Sequence, residues 1–193
     1  RVLTNLERCD FVMKFRYYGK KSQDRLYKLS DFYTLFYLKY IEPNADADDD
    51  AWWQHHSTSH SVESWQGLTF ELLCLMHIRQ ILHALDIGGV ATEVSAWFDK
   101  TDKQNKTRGS QIDLVIERAD RIVHLCEMKF CQGEYRISAG YEEQLRNRME
   151  LFRERTHNKK SLVNTFVTTF GVAAGLHSGL VHSEVKLDDL FGK

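Results

Sequence analysis

The sequence lacks several features that would assign a protein to a class directly. Its net charge is only −1, so no overall basic field points to nucleic acid, and any nucleic-acid surface must be a local patch. Its four cysteines have neither metal-site spacing nor that of a small secreted domain, so we expect reduced thiols and a cytoplasmic location. No apolar run reaches the roughly 18 residues of a membrane span, so no membrane partner is expected, and the N-terminal residues lack the pattern of a signal peptide.

The chain is long enough to form a folded unit with its own core. Its 193 residues suit one domain, or one domain and a fragment, and 42% of them are apolar. The first residue is not Met and lies inside an apparent helix, so we expect the chain to be a piece of a longer protein.

Two neighbouring β-strands that carry charged residues are predicted between residues 109 and 130, joined by a polar turn at 118–121. Because strand side chains alternate, Glu127 and Lys129 project from one face of the second strand, and Asp113 can lie beside them on the first. Charges on apolar strands are costly unless they are paired or bound to a metal. Two carboxylates suit Mg²⁺, and a lysine beside them could stabilise a phosphate or help to activate a water. The residues outline a metal-assisted phosphodiester hydrolysis site; the alternative is a structural ion pair between Glu127 and Lys129.

This pattern resembles that of the PD-(D/E)XK nuclease superfamily, which has an Asp, a spacer and then Glu-x-Lys on a hairpin. Here it consists of Asp113, thirteen residues, and then Glu127, Met128 and Lys129, with Ile112 in place of the usual proline. The resemblance implies that Asp113, Glu127 and the backbone carbonyl of Met128 bind Mg²⁺ or Mn²⁺. It also implies that Lys129 stabilises the attacking hydroxide or the charge that develops on the phosphate.

Two predicted helices flank this pattern and supply further candidates. The first, at 65–86, carries Glu71, which matches the additional acid that the opening helix of the resembling nucleases gives to the metal site, as a ligand or as a base. Alternatively, Glu71 is a surface residue that the helix macrodipole favours near the N-terminus. The second helix, at 138–156, is expected to turn Arg148 to solvent, and Gln144 on it is an accessory candidate by the same resemblance.

Polar residues that precede Asp113 could contact water or nucleic acid. Gln111 lies two positions before it and shares its face of the strand, where it can hydrogen-bond a water or a phosphate. The loop predicted at 99–108 carries three basic candidates for contact with DNA phosphates, Lys103, Lys106 and Arg108. The simpler interpretation of this loop is a solvated connection.

Residues 1–44 are predicted to be the C-terminal part of a winged-helix module, with a short helix, a two-stranded hairpin and a capped aromatic helix at 32–40. Together with 65–71 and 113–129, they resemble the C-terminal region of prokaryotic AAA-type ATPases, in which a winged helix and a DUF234-type nuclease-like domain follow the ATPase core. The resemblance implies an N-terminal ATPase domain in the same chain as a partner. No glycine-rich loop ending in Gly-Lys-Ser/Thr is present, so no ATP site is expected in this fragment.

Residues 45–62 are predicted to be a linker before a restriction-endonuclease-like domain at 63–193, because the composition changes and an acidic run begins there. Within this segment, His55, His56 and His60 could form a metal cluster. A flexible polar loop is the favoured interpretation, because no further type of ligand follows at helical spacing.

The predicted order of elements from residue 65 is one helix, three strands, one helix and two strands. Alternation of helices with a mixed sheet predicts the α/β class, and the restriction-endonuclease-like (PD-(D/E)XK) core has the same order, with a mixed central sheet flanked by helices. The expected function is a metal-dependent DNA endonuclease domain that hydrolyses phosphodiester bonds and is attached to an ATPase. The alternative is a nuclease-like module without catalytic activity that binds DNA or protein.

Overall fold

The computed structural model describes residues 1–20, 25–46, 51–99 and 109–192. The first half of the chain contains α1 (Val2–Arg8), β1 (Val12–Arg16), β2 (Arg25–Leu29), α2 (Phe32–Phe36), α3 (Trp52–His56), α4 (His60–Met76) and α5 (Ile78–Ala84). The second half contains β3 (Thr92–Asp99), β4 (Ser110–Arg118), β5 (Ile122–Lys129), α6 (Ala139–Thr156), β6 (Ser161–Thr168) and β7 (Val181–Lys186). Of the helices in these ranges, none is long and apolar enough to cross a membrane.

The centre of the fold is a five-stranded mixed sheet in the order β3-β4-β5-β6-β7. β3, β4 and β5 are antiparallel neighbours, whereas β6 runs parallel to β5 and β7 runs parallel to β6. Parallel neighbours need a crossover connection, and α6 supplies it between β5 and β6. The predicted α/β class with a mixed sheet flanked by helices is confirmed, and β3 and β7 are the edge strands of this sheet.

Helices cover both faces of the sheet and bury its apolar residues. On one face α4 and α5 pack against β4 and β5, in a core that contains Phe70, Cys74, Leu75, Ile81, Leu114, Ile116, Cys126 and Met128. On the other face α6 packs against the sheet, in a core that contains Trp97, Ile112, Val115, Val123, Leu125, Phe152 and Leu162. Because fully burying one such large side chain stabilises a fold by roughly 1.5–3 kcal/mol, these two cores hold in place the strands that carry the predicted site.

The N-terminal hairpin of β1 and β2 packs on the same core as the sheet. Phe15 of β1 is buried in the cluster that includes Phe70 of α4, and Leu26 of β2 packs against that cluster. Beyond β1, the backbone N–H of Tyr18 donates to the carbonyl of Ala96 in β3 at 2.7 Å. The hairpin is therefore fixed relative to the sheet, while the assignment of residues 1–44 to a winged helix stays a prediction.

The helix predicted at 65–86 differs from the structure at both ends and in the middle. α4 begins earlier, at His60, where the Ser59 hydroxyl accepts a hydrogen bond from the backbone N–H of Val62. His77 leaves the helical conformation and separates α4 from α5. The end is also earlier than the predicted glycine pair: α5 stops at Ala84, and Asp86 adopts a left-handed conformation with φ of 54° that closes the helix.

The expectation of a flexible polar loop around His55 and His56 is wrong. Residues 52–56 form α3, and α4 begins four residues later. The reason is aromatic packing: Trp53 of α3 makes edge contacts with Phe36 and Tyr40, at ring-centre distances of 5.1 and 5.7 Å. In the part of this segment that the structure describes, the histidines form no metal-binding group.

The aromatic helix predicted at 32–40 is confirmed at its start and differs at its end. Asp31 caps it, since its carboxylate accepts a hydrogen bond from the backbone N–H of Thr34 at 2.7 Å. Regular α-helix stops at Phe36, and the next turn, Tyr37–Ile41, is the wider π type. This wider turn carries Tyr40 into its buried contact with the aromatic residues of α3 and α4.

One buried histidine titrates far from its ordinary range. His124 on β5 is almost fully buried, and its Nδ1 lies 2.8 Å from the hydroxyl of Thr165 on β6. Burial, and to a lesser extent the nearby charge of Arg118, lowers the pKa of His124 to about 4. The folded protein therefore keeps this imidazole neutral at pH values where the unfolded chain protonates it.

This shift predicts a loss of stability in mild acid. Between about pH 6.5 and 4 the unfolded state binds more protons at His124 than the folded state does, so the free energy of unfolding should fall by on the order of 3 kcal/mol across that window. Urea unfolding at several pH values measures this change in the free energy of unfolding. His124→Gln should flatten the dependence, whereas His83→Gln, at an exposed position of α5, should leave it unchanged. If the free energy of unfolding depends equally on pH in the wild type and in His124→Gln, the lowered pKa of His124 is contradicted.

Candidate active site

A polar cavity of about 200 Å³ lies where β4 and β5 meet α4 and α6. Its walls are formed by Glu71, Gln111, Ile112, Asp113, Cys126, Glu127, Met128, Lys129 and Arg148. The cavity brings together the three carboxylates and the lysine that the sequence analysis selects as catalytic candidates. They come from α4, β4 and β5, so they meet only in the folded protein.

Asp113 reaches this cavity from an irregularity in β4. At this point Asp113 and Leu114 of β4 lie opposite the single residue Ala96 of β3, which is the arrangement of a β-bulge. Leu114 is paired with Cys126 across the other edge of β4 and is fully buried in the apolar core. Asp113 and Glu127 both line the cavity, where Glu127 contacts Arg148 of α6 and Asp113 contacts Lys28 of β2.

Glu127 is held by positive charge on two sides. Its Oε1 lies 2.9 Å from Nζ of Lys129, and its Oε2 accepts a hydrogen bond from Nη1 of Arg148 on α6. Burial alone would raise the pKa of Glu127, but Arg148, Lys129 and the hydroxyl of Tyr141 outweigh it and keep the pKa below its usual value. Glu127 is therefore an anion at neutral pH although its side chain is only 11% exposed.

Asp113 has a different pair of partners. Nζ of Lys28 lies 2.9 Å from its Oδ1, and the amide Nε2 of Gln111 donates to the same oxygen at 2.8 Å. The predicted placement of Gln111 on the face of Asp113 is thus confirmed, with a direct contact to the carboxylate. Lys28 was not predicted here, because it lies in β2, 85 residues away along the chain.

Glu71 lies close to the other charges of the cavity, in the interior of α4. Because α4 begins at His60, Glu71 is well inside the helix, and the interpretation as a surface glutamate near the N-terminus is wrong. Burial, followed by the negative charge of Asp113, raises the pKa of Glu71 to about 7, although Lys28 and Lys129 partly offset this effect. Near neutral pH this carboxyl group can both give and take a proton.

The site contains equal numbers of acidic and basic side chains. The acids are Glu71, Asp113 and Glu127, and the bases are Lys28, Lys129 and Arg148. In the described part of the chain, no three His, Cys, Asp or Glu side chains form a ready metal-binding group, and here two of the acids face basic side chains instead. Carboxylate oxygens in a polar cavity of this size nevertheless fit a hard cation such as Mg²⁺ with several waters.

Arg148 corrects an expectation about α6. It was predicted to face solvent, but its side chain is half-buried against Glu127. The helical spacing indicates this position, since Arg148 follows the buried Leu145 by three residues and Tyr141 by seven and therefore shares their face of the helix. Gln144, the predicted accessory residue on this helix, is exposed and lines a neighbouring groove of about 430 Å³ that also includes Ser110 and Arg148.

The three residues predicted to contact DNA phosphates are not among the residues that the structure describes. Lys103, Lys106 and Arg108 lie outside the described residues. Met128 lines the cavity, while the role of its backbone carbonyl as a metal ligand stays a prediction.

Comparison with known proteins gives little further information. No family model matches the chain, and no curated protein matches it. Among solved structures, a protein of unknown function named AF1548 has a similar arrangement, with a TM-score of 0.41 and 14% sequence identity; the match covers 61% of this chain and 64% of that one. The chain therefore spans just under two thirds of the length of AF1548, and a similarity of this degree carries no conclusion about function.

The partly buried pair of Arg148 and Glu127 predicts a stability effect on α6. Arg148→Met leaves Glu127 with less compensating charge in a buried setting and should lower the free energy of unfolding by about 2 kcal/mol, measured by urea denaturation. The matched control is Arg146→Met on the same helix, which breaks only an exposed pair with Glu142 and should cost less than about 1 kcal/mol. Equal losses in the two variants would show that the contact with Glu127 is no stronger than a surface ion pair.

Proposed function

We propose that this chain is a metal-dependent DNA endonuclease domain of the PD-(D/E)XK type, which hydrolyses phosphodiester bonds. The observation that carries the proposal is the convergence of Glu71, Asp113, Glu127 and Lys129 on one polar cavity, from three elements that are separate in sequence. The order of elements, with three antiparallel strands, a crossover helix and parallel strands, supports a restriction-endonuclease-like core. Two basic side chains, Lys129 and Arg148, line the cavity and could contact the phosphate of such a substrate.

In this proposal Asp113 and Glu127 hold Mg²⁺ or Mn²⁺, with the backbone carbonyl of Met128 as a further oxygen ligand. A bound divalent cation supplies activation of water and stabilisation of negative charge on a phosphodiester. The residues fit this role because Glu127 is kept ionised by its basic neighbours, so it does not need to lose a proton before it binds a cation. Asp113 lies beside it, at the bulge of β4.

Glu71 is the proposed proton acceptor. Water adds to phosphorus, and the bond from phosphorus to the leaving oxygen breaks. The leaving oxygen takes a proton from solvent, so the products are a phosphomonoester and a free hydroxyl group. Glu71 takes the proton that the attacking water loses, which suits a carboxyl group with a pKa of about 7. Lys129 stabilises the negative charge that develops on the phosphate oxygens.

The proposal extends to the longer protein. Residues 6–12, 26–32, 65–71 and 113–129 resemble the C-terminal region of prokaryotic AAA-type ATPases, so we propose that a winged helix and this DUF234-type nuclease-like domain follow an ATPase core. DNA is then the expected substrate and the ATPase domain the expected partner in the same chain. The given sequence contains no glycine-rich loop that ends in Gly-Lys-Ser/Thr.

A second candidate is a nuclease-like module that binds DNA or protein without cleaving it. One observation favours this alternative: both oxygens of Glu127 are already paired, one with Lys129 and the other with Arg148. An ion pair network of this kind can serve the fold alone. The two candidates differ in one measurable respect, which is cleavage that depends on a divalent cation.

Plasmid cleavage in Mg²⁺ or Mn²⁺ tests the proposal. Asp113→Asn, Glu127→Gln and Lys129→Met should each reduce nicking below detection while the circular dichroism spectrum stays unchanged. Glu71→Gln should slow cleavage by about 10²–10⁴-fold, the usual contribution of a general base. Glu143→Gln, at an exposed position of α6, is the matched control and should cleave like the wild type.

Two outcomes would reject the endonuclease. Cleavage that survives Asp113→Asn would exclude this mechanism, whatever its rate. Binding of DNA by the folded wild type without any cation-dependent cleavage would select the binding module instead.

A further inference from the structure

A lysine from the N-terminal hairpin reaches into the candidate active site. Lys28 lies on β2, outside the five-stranded sheet, and its Nζ contacts Oδ1 of Asp113 at 2.9 Å. Both side chains are about three-quarters buried, with 27% and 21% of their surface exposed. The superfamily pattern on β4 and β5 contains no residue from this hairpin, so the contact is a feature of this chain.

The hairpin holds Lys28 in a defined position. Leu26 precedes Lys28 by two residues and therefore projects from the same face of β2, where it packs against the core that includes Phe70 of α4. The neighbouring strand contributes the buried Phe15, which is paired with Leu26 in the hairpin register. These apolar contacts fix the strand, so the lysine is aimed at Asp113 by the fold.

Lys28 acts on two of the three acids. It forms the ion pair with Asp113, and its positive charge also lowers the pKa of Glu71 towards its usual value. A divalent cation that binds Asp113 would coordinate the same carboxylate group and sit in the same field of negative charge. Lys28 and the cation therefore compete for one carboxylate.

Exchange of Lys28 for a divalent cation would create a binding group for substrate. Once Asp113 has turned to the cation, the ammonium of Lys28 is left beside the cavity with three hydrogen-bond donors and no carboxylate. The ligand that suits this position is a phosphate oxygen, because a substrate bound at the proposed cation would bring its negative charge close to this ammonium group.

We propose that Lys28 is a positioning residue of the nuclease site, which holds Asp113 before a divalent cation binds and holds a substrate phosphate afterwards. This inference rests on the proposed function, since it assumes a cation at Asp113 and a phosphodiester beside it. It adds that the N-terminal hairpin completes the site of the domain that follows. Replacing Lys28 by a neutral residue should therefore strengthen the binding of the cation and weaken the binding of the substrate.

Two binding measurements on Lys28→Met test this inference without relying on cleavage. Calorimetric titration should show Mg²⁺ affinity about three- to tenfold higher than in the wild type, because a competing cation is gone. Fluorescence anisotropy with a labelled DNA oligonucleotide in Ca²⁺, checked by gel to be intact, should show affinity about three- to tenfold lower, because a phosphate donor is gone. A variant that merely damaged the fold would weaken both.

Three variants control this experiment. Lys14→Met removes a lysine from the same hairpin that pairs with Glu7 at 2.6 Å, and it should change neither affinity. Lys28→Arg keeps the charge and should bind both ligands like the wild type. Lys28→Gln provides a second neutral side chain and should behave like Lys28→Met.

The possible results distinguish a failure of the role proposed for Lys28 from a failure of the proposed nuclease function. A wild type that takes up no Mg²⁺ in calorimetry would reject the metal-dependent nuclease and the role of Lys28 with it. A wild type that binds Mg²⁺, while Lys28→Met leaves either affinity unchanged or weakens both, would reject only the role of Lys28.

Discussion

The structure depends on the mutual compensation of six charged side chains around one small cavity. Three acids from α4, β4 and β5 meet three basic residues from β2, β5 and α6. Carboxylates placed at the surface of an apolar core would repel one another and lose their hydration, so they need compensation. Lys28 compensates Asp113, and Lys129 and Arg148 compensate Glu127, while the pKa of Glu71 is raised. In the proposed reaction a divalent cation would take over part of this role. One charge arrangement thus serves both the stability of the fold and the proposed chemistry.

The rest of the molecule positions these charges. The two apolar cores hold β4 and β5 between helices, and at the bulge in β4 Asp113 lines the same cavity as Glu127 while Leu114 stays in the core. α4 and α6 approach from opposite faces and bring Glu71 and Arg148 to the same cavity. The N-terminal hairpin, fixed by Phe15 and Leu26, closes the arrangement with Lys28, so a segment that precedes the sheet in sequence becomes part of its site.

Sequence reasoning identified the residues whose position depends on local geometry. Glu127 and Lys129 share a face of β5 by the alternation of strand side chains, and the class of the fold follows from the order of apolar segments. Asp113 reaches the cavity at a bulge in β4, which breaks this alternation and is not visible in the sequence. Helical spacing places Arg148 on the face of Leu145, where it pairs with Glu127 and does not point to solvent. Lys28 could not have been found in this way, since its contact depends on how a distant hairpin packs. The same is true of α3, where tryptophan packing overrides a polar local composition.

The most direct test of the central claim is a crystal structure of this protein grown with Mn²⁺, in which anomalous diffraction locates the ion. We predict one strong peak in the cavity, in contact with carboxylate oxygens of both Asp113 and Glu127, and Lys28 moved away from Asp113. Crystals saturated with Mn²⁺ that show no peak there, with Asp113 still on Lys28 and Glu127 still on Lys129 and Arg148, would contradict it. The six charges would then be a structural network alone.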